Sequence, residues 1–249
     1  MRWIKLNLND GIYEQNGEKA VILFHAFTST AKDHLSLARA LGREGYTVLA
    51  PTFDGHGLED PDDLLEYGID DWIKNGEEAY QLLKEDGYTD ISVFGLSLGG
   101  LVATDLALSH DVNSYGIFSS PVITNSDSNV PENFWVWYEF QKKKLGMAEE
   151  AIEESKPRVM EKLTFRLKEM NEHVETMMPK YPEIDLPVFI GQGGQDNMIN
   201  PDHAYTFRNE LEQAEVDFNW YEEAPHVITT GRAGKETQKD LLEFLEKYA

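Results

Sequence analysis

The stretch Val93-Phe94-Gly95-Leu96-Ser97-Leu98-Gly99-Gly100 decides how this chain is read. It is a G-x-S-x-G pattern with the apolar run Asp90-Ile91-Ser92-Val93-Phe94 leading into it and a helical pattern, Leu98 to Ser109, leading out. A sharp turn from strand into helix holds the serine in strained backbone and lifts its hydroxyl above the sheet edge. The positions two before and two after the serine approach each other, so a side chain at either would clash. The helix start presents amide N–H groups and the positive end of its dipole toward developing negative charge. The bare pattern is a hypothesis; its place between a strand and a helix gives it weight.

Outward from this turn, short apolar runs alternate with longer amphipathic segments, as parallel βαβ units do. Val21–Phe24 is a strand, followed by a helix near Lys32–Arg43. Tyr46–Ala50 is the next strand, ended by Pro51, and a helix follows from about Asp70 to Glu85. Asp90–Phe94 is the third strand and Tyr115–Phe118 the fourth. From Pro121 to Asp185 only helical patterning is found. Phe134, Trp135, Trp137, Tyr138 and Phe140 crowd one short helix, and Met160, Leu163, Leu167, Met170, Val174 and Met177 recur at three- and four-residue intervals on another. The alternation resumes with Leu186–Ile190, a helix from Pro201 to Leu211, the strand Val216–Tyr221 and a terminal helix ending near Tyr248. The expectation is an α/β fold, a mostly parallel central sheet flanked by helices. Residues 1–120 and 186–249 form the core, and 121–185 a small helical cap inserted after the strand near 114–119.

A serine hydroxyl needs a base, and the base an orienting acid. On a sheet of this kind the chain order is serine, acid, histidine, each partner in a loop after a later strand. Asp196 follows the strand ending at Ile190, within Gly191-Gln192-Gly193-Gly194-Gln195-Asp196. His226 follows the last strand, within Glu222-Glu223-Ala224-Pro225-His226-Val227. Asp202 and Asp217 compete with Asp196 but fall in a helix and a strand. His203 sits at a helix start, in a capping or exposed role, and His34, His110 and His173 read as surface residues of helices. The oxyanion donors are the Leu98 N–H and, from the loop His25-Ala26-Phe27-Thr28-Ser29-Thr30, the Phe27 N–H. His25 reads as a brace for that loop. Phe27, Trp135, Tyr138, Met198 and Val227 are the candidate substrate-binding residues.

Composition narrows the partners. Basic residues number 22 against 45 acidic ones, a formal charge of −23, which repels nucleic acid and anionic membranes. The charge reads first as solubility, with halophilic adaptation the sharper alternative. There is no cysteine, which excludes disulfides, a thiol nucleophile and a Cys-based zinc site. Met1–Leu8 holds no apolar run of signal-peptide length, and no stretch approaches the roughly 18 apolar residues of a membrane span. A cytoplasmic protein without stable membrane association, monomeric or homodimeric, is expected. Asp54, His56, Asp60, Asp62 and Asp63 lack calcium-ligand spacing and read as a solvated acidic loop. Lys142-Lys143-Lys144 reads as a solvated helix end. No cofactor or metal is needed.

Gly95–Gly100, with His25-Ala26-Phe27-Thr28, Gly55-His56-Gly57, Asp196-Asn197-Met198-Ile199-Asn200 and His226-Val227-Ile228-Thr229, resembles bacterial carboxylesterases related to monoacylglycerol lipases, of the α/β-hydrolase superfamily. The resemblance runs over nearly the whole chain. It implies an α/β-hydrolase fold, a Ser97–Asp196–His226 triad, an oxyanion hole from Phe27 and Leu98, and a structural role for His56. It also implies a serine carboxylesterase acting on short-to-medium-chain acyl esters, monoacylglycerols among them, through an acyl-enzyme. Thioesterase, amidase or peptidase activity with the same triad, or a catalytically silent binding module, are the alternatives. Family members usually carry glycine where this chain has Ala26, which adds a methyl beside the oxyanion loop.

Overall fold

Strands with apolar residues on both faces build the centre of the molecule, in a computed structural model that describes residues 10–124 and 128–248. The segment Met1–Leu8, read above for a signal peptide, lies outside those residues. The strands are β1 (Ile12–Glu14), β2 (Lys19–Phe24), β3 (Thr47–Ala50), β4 (Asp90–Leu96), β5 (Ser114–Phe118), β6 (Val188–Gly193) and β7 (Val216–Tyr221). They form a seven-stranded sheet in the order β1-β3-β2-β4-β5-β6-β7. Every neighbouring pair is parallel except β1 with β3. β1 escaped the sequence reading because three residues are too short to show a period.

Period-two alternation sends successive side chains to opposite faces. Val21 and Leu23 of β2 join one core with Leu37 and Leu41 of α1 (Leu35–Arg43) and Leu241 and Phe244 of α7 (Gly231–Tyr248). Ile22 and Phe24 join the other with Trp72 and Leu83 of α2 (Ile69–Glu85) and Leu101 and Val102 of α3 (Leu98–Ser109). Burial on both faces is the reason these strands read as continuous apolar runs.

The helix expected at Lys32–Arg43 is a single 3-10 turn, Ala31–His34, leading into α1. That turn corrects the reading of His34 as a surface residue. It is fully buried, and its Nε2 donates to the Phe24 carbonyl at 2.9 Å, satisfying the end of β2.

Between β5 and β6 the chain runs through α4 (Val130–Lys144) and α5 (Glu149–Met177). Val159, Leu163, Met170, Val174 and Met177 of α5 are buried, and the helix rests on α2 and on the one-turn helix Asp63–Glu66. Two expectations are overturned here. Lys142 is no solvated helix end: only 2% of its side chain is exposed, and its Nζ lies 2.5 Å from Asp60 Oδ1 and 2.7 Å from Asp62 Oδ2. Nor are Asp60 and Asp62 part of a free acidic loop, since Arg158 of α5 also reaches Asp62 at 3.1 Å and Tyr138 donates to it. The helical turn points one lysine of the three inward and leaves Lys143 and Lys144 exposed. Between β6 and β7 lies α6, which spans His203–Glu210.

Candidate active site

At the end of β4 the backbone turns through Ser97 with φ 53° and ψ −115°, a region rare outside glycine. The turn is held by Ser97 N–H donating to Phe118 O and Gly100 N–H donating to Ser97 O, both at 2.9 Å. A Cβ on Gly95 would lie 2.0 Å from the Gly99 carbonyl carbon, so a side chain there is excluded. Gly99 answers to a different neighbour: its Cβ would sit 2.1 Å from Phe24 O at the end of β2. The end of β2 and the serine turn are thus pressed together through one glycine.

Asp196 and His226 come from the loops after β6 and β7, and these loops are zipped to each other. Gly194 N–H donates to Tyr221 O at 2.8 Å and Gln195 N–H to Ala224 O at 2.9 Å. Gly193 packs so closely that a Cβ would meet Pro225 O at 2.1 Å. The result is a hydrogen bond from His226 Nδ1 to Asp196 Oδ2 of 2.7 Å, with the carboxylate fully buried. Burial alone would raise the Asp196 pKa. The His226 contact and the Met198 and Ile199 amides, at 2.8 and 3.1 Å from Oδ1, hold it below the ordinary carboxylate value instead. An ionised Asp196 keeps the proton on His226 Nδ1 and leaves Nε2 as a lone pair, the form a general base requires. Ser97 and His226 both line one cavity of about 670 Å³.

One contributor was missed in the sequence. Gln192 is buried, and its Nε2 donates to Asp196 Oδ2 at 3.1 Å and to Gly193 O at the same distance. The sequence shows only a polar residue at the end of the run Val188-Phe189-Ile190-Gly191, not where its amide points.

The loop after β2 is fixed by His25, which is fully buried. Its Nδ1–H donates to Ala26 O at 2.8 Å and its Nε2 accepts from Phe53 N–H at 3.0 Å, a pattern only a neutral imidazole can make. Burial, and then the neighbouring His56, push its pKa well below the usual value. Ala26 is buried outside the positive-φ region, so its methyl is carried without backbone strain; the positive φ falls on Thr28 at 65°. Phe27 stacks on Phe134 with ring centres 5.7 Å apart. Leu98 is the first residue of α3, where an amide has no acceptor within the helix.

Phe27, Met198 and Val227 line the cavity, but Trp135 and Tyr138 do not. Val130, Phe134, Trp137 and Gln141, spaced at four, three and four residues, present one face of α4 to it. Trp135, Tyr138 and Lys142 lie on the adjoining face: Tyr138 bonds Asp62, and Trp135 lies under Lys156 Nζ, 4.8 Å from its ring centre. Aromatic content located this helix; only its rotation separates lining from packing. His110 and His173, read as surface residues, are part-buried and hydrogen-bonded to Glu77 and to Asp105 respectively.

A serine at a strand–helix turn on a mostly parallel sheet of this order defines an α/β-hydrolase. The family described as serine aminopeptidase, S33 (Hydrolase_4) matches residues 15–232, and the chain belongs to it. A carboxylesterase of Bacillus subtilis (strain 168) is 33% identical over 233 residues, 94% of this chain and 94% of that protein. A thermostable monoacylglycerol lipase of Bacillus sp. (strain H-257) is 40% identical over 98 residues, 39% of this chain and 38% of that protein. Among solved structures, that of the metagenome-derived lipolytic enzymes LipS and LipT superimposes with a TM-score of 0.76 at 18% identity, covering 98% of this chain and 99% of that one. Among the described residues, no helix is long and apolar enough to cross a membrane.

Proposed function

We propose that this protein is a serine carboxylesterase working through an acyl-enzyme. His226 takes the proton from Ser97 as the hydroxyl attacks the ester carbonyl, and Asp196 orients and stabilises the imidazolium. The Phe27 and Leu98 amides hold the oxyanion. His226 then protonates the departing alcohol, and a water deprotonated by His226 releases the acid. The observation that carries this reading is the buried Asp196–His226 pair, 2.7 Å apart, on the cavity that Ser97 also lines. The family description mentions peptide chemistry, which the same triad performs. The carboxylesterase relative aligned along 94% of the chain favours the ester. A charge of −23 and the lack of cysteine fit a cytoplasmic setting.

Replacing Ser97 with Ala is expected to lower turnover of p-nitrophenyl butyrate by at least about 10⁴-fold, as removal of a nucleophile does elsewhere. The melting temperature should stay within a few degrees. Turnover retained in a folded Ser97→Ala protein would overturn the assignment. Faster cleavage of an aminoacyl p-nitroanilide than of the ester would move the reading to peptidase.

A further inference from the structure

Asn129 stands at the N-terminal cap position of α4, where an asparagine side chain ordinarily accepts a hydrogen bond from its own helix. Here the side chain makes no such bond. Its Nδ2 donates instead to Asn197 O at 2.7 Å, and the Asn129 backbone N–H donates to Met198 O at 3.0 Å. Both acceptors belong to the loop that carries Asp196.

The Asn197 carbonyl and the Met198 N–H form one planar peptide group, and the Met198 carbonyl and the Ile199 N–H form the next. The N–H ends of these same groups donate to Asp196 Oδ1, at 2.8 and 3.1 Å. Asn129 therefore holds the oxygen end of each peptide whose nitrogen end holds the carboxylate. A peptide plane fixed at its oxygen cannot turn its N–H away. A donor on the carbonyl also polarises the N–H opposite and strengthens the bond that it gives. Asn129 is fixed in turn by Asn133, whose N–H and Nδ2 donate to Asn129 O at 3.2 and 2.8 Å. Asn133 lines the cavity at Ser97, so a connected run of hydrogen bonds leads from the cavity wall to Asp196 and on to His226.

We infer that Asn129 is a positioning residue for Asp196, tying the start of α4 to the triad. The inference rests on the triad reading above and goes beyond it by adding a residue from the segment between β5 and β6 to the apparatus that orients the acid. Asn129 touches neither the reacting atoms nor His226. Its effect passes through the two peptide groups, so it exists only while Asp196 carries a charge for those amides to hold.

The test is a double-mutant cycle on p-nitrophenyl butyrate with Asn129→Ala, Asp196→Asn and the pair, each rate normalised to active sites titrated with a fluorophosphonate. Asn129→Ala removes the side-chain bond and keeps the backbone one. Its kcat should fall about three- to tenfold, the range that one net hydrogen bond spans, with KM changed by less than about twofold. In the Asp196→Asn background the same substitution should change kcat by less than about twofold, because the carboxylate it supports is gone. Asn129→Asp keeps the length and turns the donor into an acceptor facing the Asn197 carbonyl, while remaining a favoured helix cap. Its kcat should fall at least as far as that of Asn129→Ala, without a drop in Tm. Equal losses from Asn129→Ala in both backgrounds, a loss carried by KM, or wild-type kcat in Asn129→Asp overturns the inference. The triad reading fails separately: turnover retained in Ser97→Ala, or wild-type kcat in Asp196→Asn, sinks both. Impaired Ser97→Ala and Asp196→Asn enzymes beside an uncoupled cycle sink the Asn129 assignment alone.

Discussion

Asp196 is a carboxylate removed from solvent that stays charged because donors converge on it: the His226 imidazole, the Gln192 amide and the backbone of Met198 and Ile199. Its charge is what selects the His226 tautomer. Asp196→Asn keeps the shape and loses the charge, and kcat for p-nitrophenyl butyrate is expected to drop by about 10⁴-fold. In the proposed mechanism Gln192 acts through Asp196, as a positioning residue, by the hydrogen bond it donates to Oδ2. A hydrogen bond to a charged group contributes about 1.5–3 kcal/mol, so Gln192→Leu should cost roughly ten- to a hundredfold in kcat while KM changes little. Loss carried mainly by KM would argue against this role. In the sequence the acid and histidine were legible because chain order and loop position single them out. Gln192 was not, because its importance lies in where its amide points.

At the scale of elements, the junction between α4, α5 and the loop after β3 shows how far a helical pattern reaches. The aromatic cluster located α4, and its 3.6-residue period implied two adjoining faces. Which face met the cavity depended on the helix's rotation about its axis, set by Lys142 closing on Asp60 and Asp62. Removing one partner of a buried pair costs about 3–5 kcal/mol. Asp60 and Asp62 remain partly exposed, so Lys142→Met should cost less, about 1–3 kcal/mol. Thermal melts at pH 7 would show this as a loss of about 2–4 °C per kcal/mol. Burial opposes the charge on Asp62, but Lys142 outweighs it and holds the carboxyl below its ordinary value. A depressed carboxyl contributes stability above its unfolded pKa and loses it as pH falls through the folded one. The gap between wild type and Lys142→Met should accordingly narrow below about pH 4. A gap independent of pH would mean that packing, not charge, carries the effect.

Across the whole molecule, three histidines are buried in neutral form around the end of β2. Burial lowers the pKa of His25, His34 and His56, the last to about 4. For these groups the unfolded chain takes up protons near pH 6.5 while the folded one does not, so stability is full above about pH 6.5 and falls as pH drops toward the folded values. Each contributes at most about 1.4 kcal/mol per pH unit in that window. Urea midpoints should therefore decline between pH 7 and pH 5, before the carboxylates titrate. His56→Gln should flatten part of that slope. Equal midpoints at both pH values would show that these rings are solvated in solution.

Features that depend on local chain geometry were legible in the sequence alone. Glycines at fixed offsets force a strand–helix turn, and apolar runs with turn residues between them place the partners of Ser97 in order along the sheet. What tertiary structure decided depends on rotation and mutual contact of elements far apart in the chain. It turned Lys142 inward, buried His34, and moved the α4 lining from Trp135 and Tyr138 to Phe134 and Trp137. A periodic pattern records that a face is apolar; only packing determines what that face meets.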